Sequence, residues 1–219
     1  MEKKYEIIRK CPLFTHIKDE DLIKVQNCMG GRIMKFSKNQ VILEEGDPAV
    51  TLCIVISGAA QMVRDDYNGN RIIIKRVGPG ELFAESVAIT EDAQMPLTVI
   101  AENDCEVLML DSSRVLSPCT NNCYFHIYII KNLLNIIAGK NIWFARRIEI
   151  TSRRTTRDKI MAYLTMEANY KGSREFTIPF NRQELADFLG VERSAMSAEI
   201  SRLRADGIIE CDRSWFRII

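Results

Sequence analysis

The stretch Phe176-Thr177-Ile178-Pro179-Phe180-Asn181-Arg182-Gln183-Glu184-Leu185-Ala186-Asp187-Phe188-Leu189-Gly190-Val191-Glu192-Arg193-Ser194-Ala195-Met196-Ser197 decides how this chain is read. Pro179 closes an extended segment. Asn181 precedes Glu184 by three residues, the spacing of a capping box, which satisfies open N–H groups at a helix start. Leu185, Ala186, Phe188 and Leu189 lay an apolar stripe along one face. Gly190 permits a sharp reversal, because glycine enters positive φ without a Cβ clash. In the helix that follows, Met196, Ile200 and Leu203 recur at steps of four and three, a buried face. Arg193, Ser194 and Ser197 fall on its other side near the N-terminus. Gly207 suits the helix end. Beyond it, Ile208-Ile209-Glu210-Cys211, the turn Asp212-Arg213-Ser214 and Trp215-Phe216-Arg217-Ile218 read as a hairpin. Helix, turn, helix and wing predict a winged helix-turn-helix that sets its second helix in a DNA major groove. The DNA-binding candidates are Asn181, Arg182, Gln183, Glu192, Arg193, Ser194, Ser197 and Arg202.

Length and composition agree with a cytoplasmic regulator. A chain of 219 residues suits one or two domains with real cores. Met1-Glu2-Lys3-Lys4-Tyr5-Glu6 lacks the apolar run of a signal peptide, and no apolar stretch is long enough to span a bilayer. Seven cysteines without regular spacing suggest a reducing compartment and not a disulfide framework. Charge is nearly balanced: residues 1–150 hold 18 Lys and Arg against 19 Asp and Glu, and residues 151–219 hold 12 against 10. The excess at the C-terminal end is too small to establish a nucleic-acid partner by itself. The cluster Arg146, Arg147, Arg153, Arg154 and Arg157 is denser, although such runs are commonly solvated faces. His16 and His126 are the two histidines. No phosphate loop, HExxH or nucleophile–base motif is present, so the chain reads as a non-enzyme.

Upstream, Tyr5, Ile7 and Ile8, then Leu22, Ile23 and Val25, carry helical periodicity, with a break at Cys11-Pro12-Leu13-Phe14. From Gly30 to about Leu110, short β-branched runs alternate with turn signals: residues 41–43, 52–56, 61–63 and 71–74 are strand-like. Their length and spacing predict an antiparallel sandwich or barrel. Asn68-Gly69 is a hairpin signal.

A long helix is expected from about Tyr124 to Thr151. Ile127, Ile130, Leu134, Ile137, Asn141, Phe144 and Ile148 recur at 3,4,3,4,3,4, an a/d seam. Such a seam is either buried within the monomer or paired with a second copy. Its length, and Asn141 at an a position where a lone polar residue sets register, favour a homodimer. A second apolar line, Leu133 and Ile136, is placed to pack on the sheet region. A dimer holds two recognition helices about one duplex turn apart and suits a palindromic operator.

These parts in this order resemble the Crp/Fnr family of bacterial transcription regulators over nearly the whole chain. The resemblance rests on Gly46-Asp47, Ile56-Ser57-Gly58, Gly78-Pro79-Gly80-Glu81-Leu82-Phe83-Ala84-Glu85, Arg182-Gln183-Glu184-Leu185-Ala186 and Arg193-Ser194-Ala195-Met196-Ser197. It implies an α+β fold: an N-terminal antiparallel β-roll, cupin-like (a double-stranded β-helix), with flanking helices, then a long dimerisation helix and a C-terminal winged helix-turn-helix. The expected divisions are 1–120 for the β-roll effector domain, 121–151 for the dimerisation helix and 152–219 for DNA binding. It further implies an effector that shifts the dimer between two arrangements, with double-stranded DNA and RNA polymerase as partners.

Cyclic-nucleotide binders of the family use a Gly-Glu pair for the ribose and a downstream Arg-Ser pair for the phosphate. Here Ala84-Glu85-Ser86 keeps the glutamate, but the second site reads Met95-Pro96-Leu97. A phosphate there loses its bidentate arginine and, at Pro96, a backbone donor. This argues against cyclic AMP. The effector-site candidates Ala84, Glu85, Ser86, Met95 and Leu97 suit a small apolar or aromatic organic ligand, a haem, or an ordinary core. Cys11 and Cys28 are too far apart for the close N-terminal cluster of the family's iron–sulfur branch. Cys119, Cys123 and His126, just before and inside the long helix, are the metal, haem or thiol-redox candidates; read plainly, the cysteines are small buried apolar residues and His126 is a satisfied polar one. Ser194 and Ala198 stand where family recognition helices carry glutamate and arginine, so the operator should differ from the family's usual box. The rival reading is a ligand-binding regulatory module whose output is protein–protein interaction.

Overall fold

In the computed structural model, which describes residues 2–65, 71–117 and 123–219, the N-terminal periodicity becomes helix α1 (Glu2–Lys10), single 3-10 turns at Pro12–Phe14 and Asp19–Asp21, and helix α2 (Leu22–Cys28). Asn68-Gly69 and Cys119 lie outside the described residues. The β-branched region supplies β1 (Arg32–Phe36), β2 (Val41–Leu43), β3 (Thr51–Ser57), β4 (Ala60–Asp65), β5 (Arg71–Val77) and β6 (Leu82–Phe83). Then come α3 (Glu85–Ala88), β7 (Thr98–Ala101), β8 (Cys105–Asp111) and α4 (Ser112–Leu116). Two four-stranded antiparallel sheets result, ordered β1-β8-β3-β6 and β2-β7-β4-β5. The expected antiparallel β-roll is present as a sandwich.

Strand β3 is apolar at five consecutive positions, a run from which alternation cannot be read. The reason is that both its faces are covered. Leu52, Ile54 and Ile56 point into a core shared with Leu13, Val25, Met29, Phe125, Ile129 and Leu133 from the helices. Cys53 and Val55 point into a second core between the sheets, with Val77, Phe83, Val99 and Val107. Its partner β8 divides the same way, Leu108 and Leu110 outward and Cys105 and Val107 inward. Each fully covered Leu, Ile or Val contributes about 1.5–3 kcal/mol against the exposed state. Gly58 turns the chain from β3 into β4 at φ +73°. A Cβ there would lie 2.4 Å from the Asp104 carbonyl oxygen, so no other residue fits without moving backbone.

Helix α5 spans Tyr124–Thr151, the bounds expected from the sequence. Phe125, Ile129 and Leu133 are buried and Ile136 packs beside them, so the second apolar line does cover the sheet region. Asn132 is buried among them, and its Nδ2 donates to the carbonyls of Leu13 (3.0 Å) and Thr15 (2.8 Å), which a 3-10 turn leaves open. The seam residues lie elsewhere: Ile127, Leu134, Asn141, Phe144 and Ile148 are exposed, while Ile130 and Ile137 are half-buried. The chain forms two compact units, Met1–Ala138 and Gly139–Ile219, whose boundary falls inside α5. No helix among the described residues is long and apolar enough to cross a membrane.

The second unit holds α6 (Thr156–Lys171), β9 (Glu175–Thr177), α7 (Arg182–Leu189), α8 (Arg193–Ala205), β10 (Ile209–Asp212) and β11 (Trp215–Ile218). The expected hairpin is joined by β9, giving the sheet order β10-β11-β9. One core of Ile150, Ile160, Tyr163, Leu164, Leu185, Leu189, Met196, Ile200, Leu203 and Phe216 binds these elements together.

Candidate nucleic-acid interface and effector region

Asn181 caps α7 as its spacing foretold. Its Oδ1 accepts from the backbone N–H of Gln183 (2.9 Å) and Glu184 (3.0 Å), and the Glu184 carboxylate accepts from the Asn181 N–H (2.7 Å). Gly190 ends the helix at φ +61°. Arg147 then grips that end from α5. Its guanidinium lies 5.6 Å from the Trp143 ring and 5.5 Å from the Phe188 ring, and donates to the carbonyls of Asp187 and Phe188 at 3.3 Å. A cation at the negative end of a helix is favourable, and this one supplies a donor to carbonyls of the last turn.

Helix α8 is capped by Glu192, whose carboxylate accepts from the Ala195 N–H and the Ser194 hydroxyl. These bonds hold the Glu192 carboxyl below its ordinary range. With Met196, Ile200 and Leu203 buried, the outward face presents Ser194, Ala198, Ser201 and Ala205, all exposed, and flanked by exposed Arg193, Arg202 and Arg204. A face of small residues edged by arginines can approach base edges closely while reaching phosphates on either side. Glu199, turned inward, anchors the helix: Arg157 of α6 donates to Glu199 (3.2 Å) and Asp206 (2.8 Å), and Arg202 reaches Glu199 at 3.0 Å.

The structure sorts the DNA-binding candidates. Arg193, Ser194, Ser197 and Arg202 sit on α8. Gln183 donates to Asp187 (2.9 Å). Asn181 and Glu192 are committed to helix caps. Arg182 is engaged, with its guanidinium 5.1 Å from the Phe216 ring and 3.5 Å from Cys211 Sγ, so it braces the wing. Ser201 is also exposed on α8, and the wing-turn residue Arg213 is exposed at φ +50°. The hairpin turn was the sequence signal for Arg213; nothing singled out Ser201.

In the β-roll, Ala84 adopts φ +60° at the start of α3, a left-handed conformation favoured by glycine, and Glu85 beside it is buried with Ser86 Oγ donating to its carboxylate at 3.1 Å. Met95 is buried in the inter-sheet core, its N–H donating to the Asp47 carbonyl and its carbonyl accepting from Gly46, both at 2.9 Å. Leu97 packs half-buried on the same core. Arg64 approaches this segment, but its guanidinium donates to the Pro96 carbonyl at 2.5 Å. Ala84, Glu85 and Met95 are thus brought together around an apolar core.

Cys123 and His126 are brought together, but with a partner that no sequence signal had singled out. Cys28, at the end of α2, stands against them, and one ligand atom from each of the three lies within 4.8 Å of the other two.

The chain matches two families in comparisons with known proteins: the Cyclic nucleotide-binding domain over residues 33–122 and the Crp-like helix-turn-helix domain over residues 158–219. The CRP-like protein Clp of Xanthomonas campestris pv. campestris is 22% identical over 179 residues, covering 77% of this chain and 75% of that protein. Among solved structures, the Thermus thermophilus catabolite activator protein shares 20% identity, covers 95% of this chain and 93% of its own, and superposes with a TM-score of 0.50. The c-di-GMP-responsive global regulator CLP of Xanthomonas campestris shares 18% identity, with 89% and 97% covered and a TM-score of 0.53.

Proposed function

Because this chain belongs to the Crp/Fnr family of DNA-binding, effector-sensing transcription regulators, we propose that it works as a homodimer on a palindromic operator. In this reading residues 1–120 sense the effector, 121–151 dimerise and 152–219 bind DNA. The observation that carries the proposal is the outward face of α8, small residues edged by Arg193, Arg202 and Arg204, above a buried face of Met196, Ile200 and Leu203. The dimer is supported by the exposed seam on α5, where Ile127 is 73%, Leu134 61% and Ile148 64% open to solvent in the single chain. Apolar side chains spaced as a heptad gain most when a second helix covers them.

The effector in this proposal is not cyclic AMP. Met95 and Leu97 fill the place of the phosphate clamp with core side chains, and Arg64 is engaged by Pro96. An apolar or aromatic organic ligand beside Glu85 suits this lining better than an anion, because a buried phosphate without a paired cation is costly.

Duplex binding measured over a salt series tests the reading. Phosphate contacts give a falling log–log slope, and Arg193→Ala should weaken binding by about 1–3 kcal/mol and relax preference at one base pair. Absence of any salt-dependent duplex binding, with or without candidate effectors, would transfer support to a module acting through protein interaction. Cyclic AMP should leave both the melting temperature and the DNA affinity unchanged; cyclic di-GMP, to which the Xanthomonas regulator responds, belongs in the same screen.

A further inference from the structure

Cys28 ends helix α2, Cys123 immediately precedes α5, and His126 sits in the first turn of α5. One ligand atom from each lies within 4.8 Å of the other two. His126 is 6% exposed, with the Phe125 ring stacked on its imidazole at 5.4 Å. Its Nδ1 has no hydrogen-bond partner among the described residues. Buried ring nitrogens are ordinarily satisfied, so an open one on a histidine that stands with two thiols asks for an explanation. A bound cation supplies one.

We propose that Cys28, Cys123 and His126 bind a single first-row divalent metal ion of the zinc type. Two thiolates and an imidazole are a soft-to-borderline donor set, which excludes calcium and magnesium. Metal–sulfur bonds of about 2.3 Å and metal–nitrogen bonds of about 2.0–2.1 Å place tetrahedral ligands about 3.5–3.8 Å apart, so closure needs movements of about 1 Å or less. Three protein ligands leave the fourth position open to water or a small molecule. An iron–sulfur cluster is a poorer fit, because it is held by four thiolates or a close equivalent. Binding deprotonates both thiols and takes the imidazole neutral, so two protons leave for each ion bound.

The location gives the ion a consequence. The same junction is already stitched by Tyr124, whose hydroxyl donates to Asp21 at 2.6 Å, and Lys24, on α2, holds that carboxylate with a bond of 2.8 Å. An ion on Cys28, Cys123 and His126 adds a second tie between α2 and the start of α5, the helix that carries the proposed dimer seam. Metal occupancy therefore sets how firmly the β-roll holds that helix.

The test is titration of the reduced full-length chain with Co(II) under anaerobic conditions. One equivalent per chain should bind, with sulfur-to-cobalt charge-transfer bands and intense tetrahedral d–d bands, and zinc should displace it, being the tighter binder in the divalent series. Cys28→Ser and Cys123→Ser should each lose charge-transfer intensity and His126→Ala should shift the d–d bands, while Cys211→Ser matches the parent chain. Cys28→His, which keeps a ligand at that position, should retain cobalt with altered bands, and this guards against a serine variant that fails to fold. No cobalt bands in the folded parent chain, or bands unchanged in Cys28→Ser, would overturn the site. A reduced chain that takes no cobalt yet oxidises to a Cys28–Cys123 disulfide would replace it with a thiol pair. The readout involves no DNA, so its failure leaves the DNA-binding reading intact, and loss of DNA binding leaves the metal site intact.

Discussion

Replacing Leu134 with alanine separates a dimer seam from a monomer core on helix α5. Alanine lacks three of leucine's carbons, worth about 2.4 kcal/mol if fully buried, at about 0.8 kcal/mol per CH2-sized group. The single chain leaves 61% of Leu134 open to solvent, so the part that only a partner helix can cover is worth about 1.5 kcal/mol per chain. A two-fold interface contains the residue twice, which brings the loss to about 3 kcal/mol. At about 1.4 kcal/mol per tenfold change, the dimer dissociation constant should rise about 100-fold or somewhat more. Sedimentation velocity over a concentration series reads that constant directly. Urea unfolding well below it should show the monomer little affected, because most of the deleted surface was already in water. The opposite pattern, an unchanged dissociation constant with a melting temperature several degrees lower, refutes the reasoning and places Leu134 in the core of its own chain.

Asn181→Ala removes both acceptor bonds of the α7 cap and should destabilise the second unit by about 1 kcal/mol, within about 0.5–2; a urea midpoint equal to the parent's would show that the capping box is idle. Gly58→Ala forces a Cβ to 2.4 Å from the Asp104 carbonyl at φ +73°, so it should cost at least about 2 kcal/mol, the left-handed penalty alone being about 1–2. A variant that keeps the parent's sheet register by amide exchange yet loses almost no stability would contradict that turn geometry. The hydrogen bonds from Lys24 and Tyr124 hold the Asp21 carboxyl below its ordinary value of 3.8. Stability from this depressed pKa is fully present above that value and disappears as pH falls through the lower folded one. The stability gap between the parent chain and Asp21→Asn should therefore be constant from neutral pH down to about 5 and narrow below about 4; a gap that stays full however far the pH falls would rule out the carboxylate's charge as its source.

What could be read from the amino-acid order alone was whatever depends on near neighbours. The Asn181–Glu184 box, the reversal at Gly190 and the bounds of α5 all rest on hydrogen bonds or periodicity spanning a few residues, and each took the expected form. The wing hairpin followed from a turn between two strand-like runs, and the two domain types followed from the order of helices and strands. The motifs that hold Gly58 and Ala84-Glu85 pointed to the β-roll through the family resemblance they carry. Periodicity names a face but not what covers it. The five apolar residues of β3 therefore concealed two different cores, and the seam of α5 could not show which of its apolar lines the monomer itself would bury. Arg182 stands in the motif as a DNA candidate, and only the fold shows Phe216 beneath its guanidinium. Cys28 was set aside because it lies too far from Cys11 to form a close cluster, and packing of α2 against the start of α5 brings it to Cys123 and His126. Such juxtapositions depend on which strands pair and which helix faces meet, so they belong to the tertiary structure and leave no local trace.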